Sequence, residues 1–179
     1  MGILNRKEAG IKIAQIGAFD GENFGDLLFP TAIEERFKNC SIDLFSPVGG
    51  MEKPFEQDRY VYSVKQLEER CKSQNYRLIL IGGGDLIRVD KNIAANYSSN
   101  YEAGIALWQY PILIANKYQI PVVFNAPGVP MEFSGSEQQL TKLLLQNVDY
   151  ISVRDHRSKE YLQKCGVTDV QVIPDTVYS

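Results

Sequence analysis

Leu78-Ile79-Leu80-Ile81-Gly82-Gly83-Gly84-Asp85 is the stretch on which the fold turns. Four aliphatic residues in a row, stopped at once by glycine, form a run apolar on both alternating faces. Such a run reads as a strand covered on both sides, the mark of a parallel sheet held between layers of helix. Glycine at its end lets the backbone approach another group closely or take a positive φ. A tight turn out of the strand needs only one glycine, so three in succession favour a ligand.

The same grammar repeats outward from this run. Ile11 to Ile16 is a strand closed by Gly17, and Ile42 to Phe45 is a shorter one. Val122 to Phe124 follows Pro121 and precedes the turn pair Pro127-Gly128. Tyr150 to Val153 and Val170 to Ile173 complete the set. Between them lie segments of helical period. Phe29, Ile33 and Phe37 share one face, and so do Val64, Leu67 and Cys71. Pro111 suits the first turn of a helix running to about Tyr118. Ser136 and Gln139 fit a capping box ahead of Leu140, Leu143 and Leu144. Asp155 caps the helix carrying Tyr161, Leu162 and Cys165, and Gly166 ends it. Alternation of this kind predicts an α/β fold: a Rossmann-like open, mostly parallel sheet with helices on both faces, formed by residues 1–179 as a single domain. Right-handed crossovers then bring the loops after the strands to one edge, where such sheets bind ligands. Only Arg88 to Tyr110, polar and aromatic, has no clear period; it reads as a long functional loop or as an insertion over one sheet edge.

Composition narrows the class. The 179 residues carry a formal net charge of -3, which advertises no nucleic-acid surface. Cys40, Cys71 and Cys165 are far apart and His156 is the only histidine, so no metal-ligand set is present. No run approaches a membrane span, and Met1 to Lys12 has no apolar stretch of signal-peptide length. A cytoplasmic protein with reduced thiols is expected.

Three places at the expected ligand edge carry chemistry. The first is Gly17-Ala18-Phe19-Asp20-Gly21-Glu22-Asn23-Phe24-Gly25-Asp26, a glycine-bearing loop entering a helix. Its spacing is neither G-x-G-x-x-G nor a P-loop. Free N–H groups at the helix start invite an anion, which the Asp26 carboxylate opposes; Asp26 as a helix cap is the alternative. The second is Gly82-Gly83-Gly84-Asp85. The third is Ser152-Val153-Arg154-Asp155, where Arg154 stands at a strand end with a planar fork suited to carboxylate or phosphate. A structural salt bridge to Asp155 or Asp26 is the plainer role for Arg154.

Taken in order, these elements resemble the polysaccharide pyruvyl transferase family. The resemblance is carried by Gly17 through Asp26 with its Asn23-Phe24-Gly25-Asp26 core, Ile81-Gly82-Gly83-Gly84-Asp85, and Ala126-Pro127-Gly128-Val129. It continues through Asp149 to Asp155 with Ser158 and Leu162, then Gly166 and Val172-Ile173-Pro174-Asp175. It implies one half of a glycosyltransferase-B-type architecture, with a second, C-terminal domain expected beyond this chain. It implies phosphoenolpyruvate as donor substrate, a glycan or lipid-linked sugar as acceptor, and no cofactor. Arg154 is then the anion clamp, Asp26 or Asp85 a base or a structural residue. Asn23, Gly25, Gly82, Gly83, Gly84 and Asp85 contact the substrates. A sugar-nucleotide glycosyltransferase-B domain and a non-catalytic glycan-binding module are the competing readings.

Overall fold

The computed structural model describes residues 10–21, 23–49, 60–89 and 104–175, together with the backbone of 51–52. They form one eight-stranded sheet. Its strands are β1 (Ile11–Ile16), β2 (Cys40–Ser46), β3 (Met51–Glu52), β4 (Tyr60–Ser63), β5 (Tyr76–Gly82), β6 (Val122–Asn125), β7 (Tyr150–Val153) and β8 (Gln171–Val172). Their spatial order is β3-β4-β2-β1-β5-β6-β7-β8. All neighbours pair in parallel except β3, which runs antiparallel to β4 at one edge. The fold is therefore the open, Rossmann-like α/β arrangement that the sequence predicts. The chain steps outward from β1 through β2 to β4, then returns so that β5 lies on the other side of β1. The turning point between β1 and β5 is where sheets of this topology open a crevice beyond their strand C-termini.

Among the described residues five α-helices connect the strands: α1 (Phe24–Arg36), α2 (Leu67–Ser73), α3 (Tyr110–Tyr118), α4 (Gly135–Leu145) and α5 (His156–Lys164). Because strand side chains alternate, the sheet divides its apolar residues between two faces. Ile13 and Leu80 meet Ile33 of α1 on one face. Ala14, Ile16, Ile79 and Ile81 join Leu67 of α2, Ile112 of α3, Leu144 of α4 and Leu162 of α5 in the larger cluster on the other. Between α2 and the sheet lies a polar network. The Arg70 Nη2 donates to Asp43 Oδ2 at 2.6 Å, the Tyr76 hydroxyl donates to the same oxygen, and Lys12 Nζ stands 3.2 Å from it. Arg70 also lies over the Tyr62 ring, 3.7 Å from its centroid. Burial alone would raise the Asp43 carboxyl, but the bonds from Arg70, Tyr76 and Lys12 outweigh it and hold it below the usual carboxylate range.

Some local expectations are corrected. The capping box of α4 is made by Ser134 and Glu137, not Ser136 and Gln139, so the helix starts earlier than its leucines suggest. Helix α3 does carry Pro111 in its first turn, but a π-turn at Ile105–Gln109 leads into it. The C-terminal end of the Arg88–Tyr110 segment is thus helical, while 90–103 lie outside the described residues. In that π-turn Trp108 is fully buried, and its indole N–H donates to the Arg88 carbonyl at 3.0 Å. Strand β4 has no counterpart in the sequence reading. Its Val61 is fully buried between two tyrosines, an alternation too short to stand out.

Candidate functional site at the strand C-termini

The loop after β1 is built rigidly. The Ser46 hydroxyl donates to the Gly17 carbonyl at 2.7 Å and accepts from the Phe19 N–H at 2.8 Å. Asp20 Oδ2 accepts from the Val48 and Gly49 N–H groups at 2.8 and 2.9 Å, joining this loop to the one after β2. Asn23 then caps α1, its Oδ1 accepting from the Gly25 N–H at 3.1 Å. The cap is therefore Asn23 and not Asp26, which sits in the first turn where a carboxylate complements the helix dipole. Asn23 and Gly25 are exposed there.

The triple glycine after β5 has a packing reason at every position. A Cβ on Gly82 would lie 2.4 Å from the Asn125 carbonyl of β6. Gly83 has φ +82 and its Cβ would meet the Phe29 ring at 2.2 Å. Gly84 has φ +65, and its Cβ would lie 2.5 Å from Asp26 Oδ1. Close approach and left-handed backbone thus give all three glycines a reason within the fold. Their effect is to set the β5 loop directly against α1, with Asp26 beside Gly84.

Arg154 follows β7 at the same edge, as the sequence places it. Its Nη2 donates to Asp85 Oδ1 at 2.5 Å, and its Nε lies 3.5 Å from Asp155 Oδ2. The partner is Asp85 rather than Asp26. The pair rests on the turn after β6: a Cβ on Gly128 would lie 2.2 Å from Asp85 Oδ1 and 2.7 Å from Arg154 Nε. That turn is clamped by its backbone. Gly128 N–H donates to the Gly84 carbonyl at 2.8 Å, and Ile87 N–H to the Gly128 carbonyl at 3.2 Å. Ala126, buried at φ +53, bends the chain into the turn and donates its N–H to Ser152 Oγ at 3.0 Å. Asp155 caps α5 by accepting from the Ser158 N–H at 2.7 Å, and Ser158 Oγ in turn accepts from Val129 N–H at 2.9 Å. Partial burial would raise the Asp155 carboxyl, but the Ser158 bonds and Arg154 hold it low.

The edge therefore juxtaposes Asp26 with Gly84, and Asp85 with Gly128 and Arg154. Gly128, Ala126 and Ser152 are structural partners to which single-residue chemistry gave no role; the visible signals were the Ala126 to Val129 and Ser152 to Asp155 stretches that contain them. Among the described residues no cluster of His, Cys, Asp or Glu is placed to hold a metal ion, and no helix is long and apolar enough to cross a membrane.

Parallel α/β topology, with the glycine loops and Arg154 along the strand C-terminal edge, defines the class: an open, Rossmann-like α/β domain. The family model for polysaccharide pyruvyl transferase matches residues 23–179. The chain belongs to that family. No curated protein and no solved structure matches it.

Proposed function

We propose that this domain takes part in transfer of pyruvate from phosphoenolpyruvate to a sugar of a cell-surface glycan or lipid-linked precursor, as a ketal, in the cytoplasm and without a cofactor. The observation that carries the reading is the convergence of Asp26, the glycine loop and Arg154 at one sheet edge in a chain of this transferase family. In the reaction the methylene carbon of phosphoenolpyruvate gains a proton, and its middle carbon becomes cation-like. One sugar hydroxyl adds there and loses its proton. A second hydroxyl displaces the phosphate, whose departure carries away the second hydroxyl proton. The site must hold carboxylate and phosphate and must move protons.

Arg154 supplies a fork for one anionic group of the donor. A guanidinium has five N–H donors, and Asp85 takes one of them. Asp26 is the candidate base for a sugar hydroxyl, with Asn23, Gly25 and the Gly84 backbone beside it at the same edge and Gly82 and Gly83 buried behind them. Asp85 and Asp155 already contact that cation, so the donor charge it does not meet falls to further cations on a facing wall. The two-domain architecture implied by the family resemblance provides one.

The test is acceptor-dependent phosphate release with phosphoenolpyruvate, comparing wild type with Arg154→Lys. The variant keeps the charge and loses the fork, so a loss of roughly 10- to 100-fold in kcat/KM with little change in melting temperature is expected. Binding of nucleotide sugars in place of phosphoenolpyruvate, or full activity in the variant, overturns the reading.

A further inference from the structure

We propose that Asp85 is an exchangeable counter-ion for Arg154, displaced when an anionic donor takes the guanidinium, while Asp155 stays in place as the fixed anchor. The inference rests on the donor reading above. Its basis is an asymmetry between the two carboxylates that touch one arginine.

Asp155 is committed elsewhere. Its Oδ1 caps α5 through the Ser158 N–H, so leaving Arg154 would not free it, and its Oδ2 holds Nε at 3.5 Å. Asp85 has the shorter contact, 2.5 Å to Nη2, but its side chain is 42% exposed and that of Arg154 30%. A pair so open to water gains little net free energy, because water competes for both ions. The floor beneath it is the bare Gly128 backbone, with no Cβ to lock either side chain. Asp85 also follows two glycines of positive φ, so it stands on a loop and not within the regular strand. The ligand edge thus presents a guanidinium steered by one carboxylate and shielded by another. A donor carboxylate or phosphate offers a second oxygen for the fork, which Asp85, bound through one, does not use. Asp85 therefore lowers donor affinity and keeps the fork aligned until the donor arrives.

Phosphoenolpyruvate binding to the purified full chain, followed by ligand-detected NMR titration into the millimolar range, tests this. Asp85→Asn and Asp85→Ala should each bind about 2- to 5-fold more tightly than wild type, the range set by an exposed ion pair. The gain should shrink as salt is raised, since it is electrostatic. Arg154→Ala should bind at least about tenfold more weakly. If Arg154→Ala loses binding but the Asp85 variants gain nothing, or gain equally at all salt concentrations, the exchange is overturned and the donor reading survives. If Arg154→Ala binds as wild type does, or if no chain binds, the donor reading itself falls and takes the exchange with it.

Discussion

Arg70 and Arg154 each hold a carboxylate at hydrogen-bond distance, yet the two pairs do opposite work. Arg70 is sandwiched between α2 and the sheet, with Asp43 on one side, the Tyr62 ring beneath it and the Tyr76 hydroxyl accepting from its Nε at 3.2 Å. The Asp43 side chain is only 14% exposed and receives three donors. Arg154 stands at the strand C-termini beside two carboxylates, partly open to water. The difference teaches how one ion-pair chemistry serves two ends. Where every donor and acceptor is met inside the structure, removing one partner strands a charge and costs stability. Where the pair faces solvent, its removal costs the fold little, and the guanidinium is available to a ligand.

The comparison breaks most visibly at Asp43. Asp43→Ala leaves Arg70 and Lys12 without their shared anion in a mostly buried setting. A loss of about 2–4 kcal/mol is expected, read as a lowered urea midpoint. An equal loss in Asp85→Ala would erase the distinction drawn between the two pairs.

Gly128→Ala sharpens the contrast from the other side. Gly128 has no positive φ, so alanine fits its backbone, and the three atoms nearest its methyl belong to the movable side chains of Asp85 and Arg154. Phosphoenolpyruvate affinity should fall about tenfold while the urea midpoint changes little, because the stiffer unfolded chain offsets part of the crowding. A variant that unfolds early but binds normally would place Gly128 in the scaffold alone.

A smaller effect is read by pH at Asp43. The folded Asp43 carboxyl is held below its ordinary value, so the stability it contributes is fully present above the unfolded pKa, about 3.9. It is lost as pH falls through the lower folded value. Wild type should therefore exceed Asp43→Asn in stability near neutrality, and the gap should narrow only below about pH 4. A gap that stays constant down to pH 2 would show that Asp43 acts through shape and not through charge.

Much of this arrangement was legible in the sequence because it depends on local patterns. Short apolar runs ended by glycine located β1 and β5, a short apolar run between helical segments located β7, and Asp155 and Gly166 marked both ends of α5. The loops carrying Asp26, Gly82 to Gly84 and Arg154 came to one edge because right-handed crossovers leave them no other place. What stayed hidden depends on distance along the chain. The Arg154–Asp85 bond spans 69 residues and the Arg70–Asp43 bond 27, and no periodicity reports either. Asp26 and Asn23 were equally good caps by residue type; only the path of the loop decided for Asn23. The three glycines announced a special backbone correctly, but Phe29, Asp26 and Asn125, which explain them, reach that loop through tertiary packing.

Trp108 gives this protein a built-in optical gauge. It is the only tryptophan in the chain. Its indole is tied to the carbonyl of Arg88, three residues beyond Asp85. Emission from an indole sealed from water is blue-shifted and moves to the red when water reaches it. Any rearrangement of the glycine loop that pulls on Arg88 would therefore register in intrinsic fluorescence, with no dye attached and no second tryptophan to blur the signal.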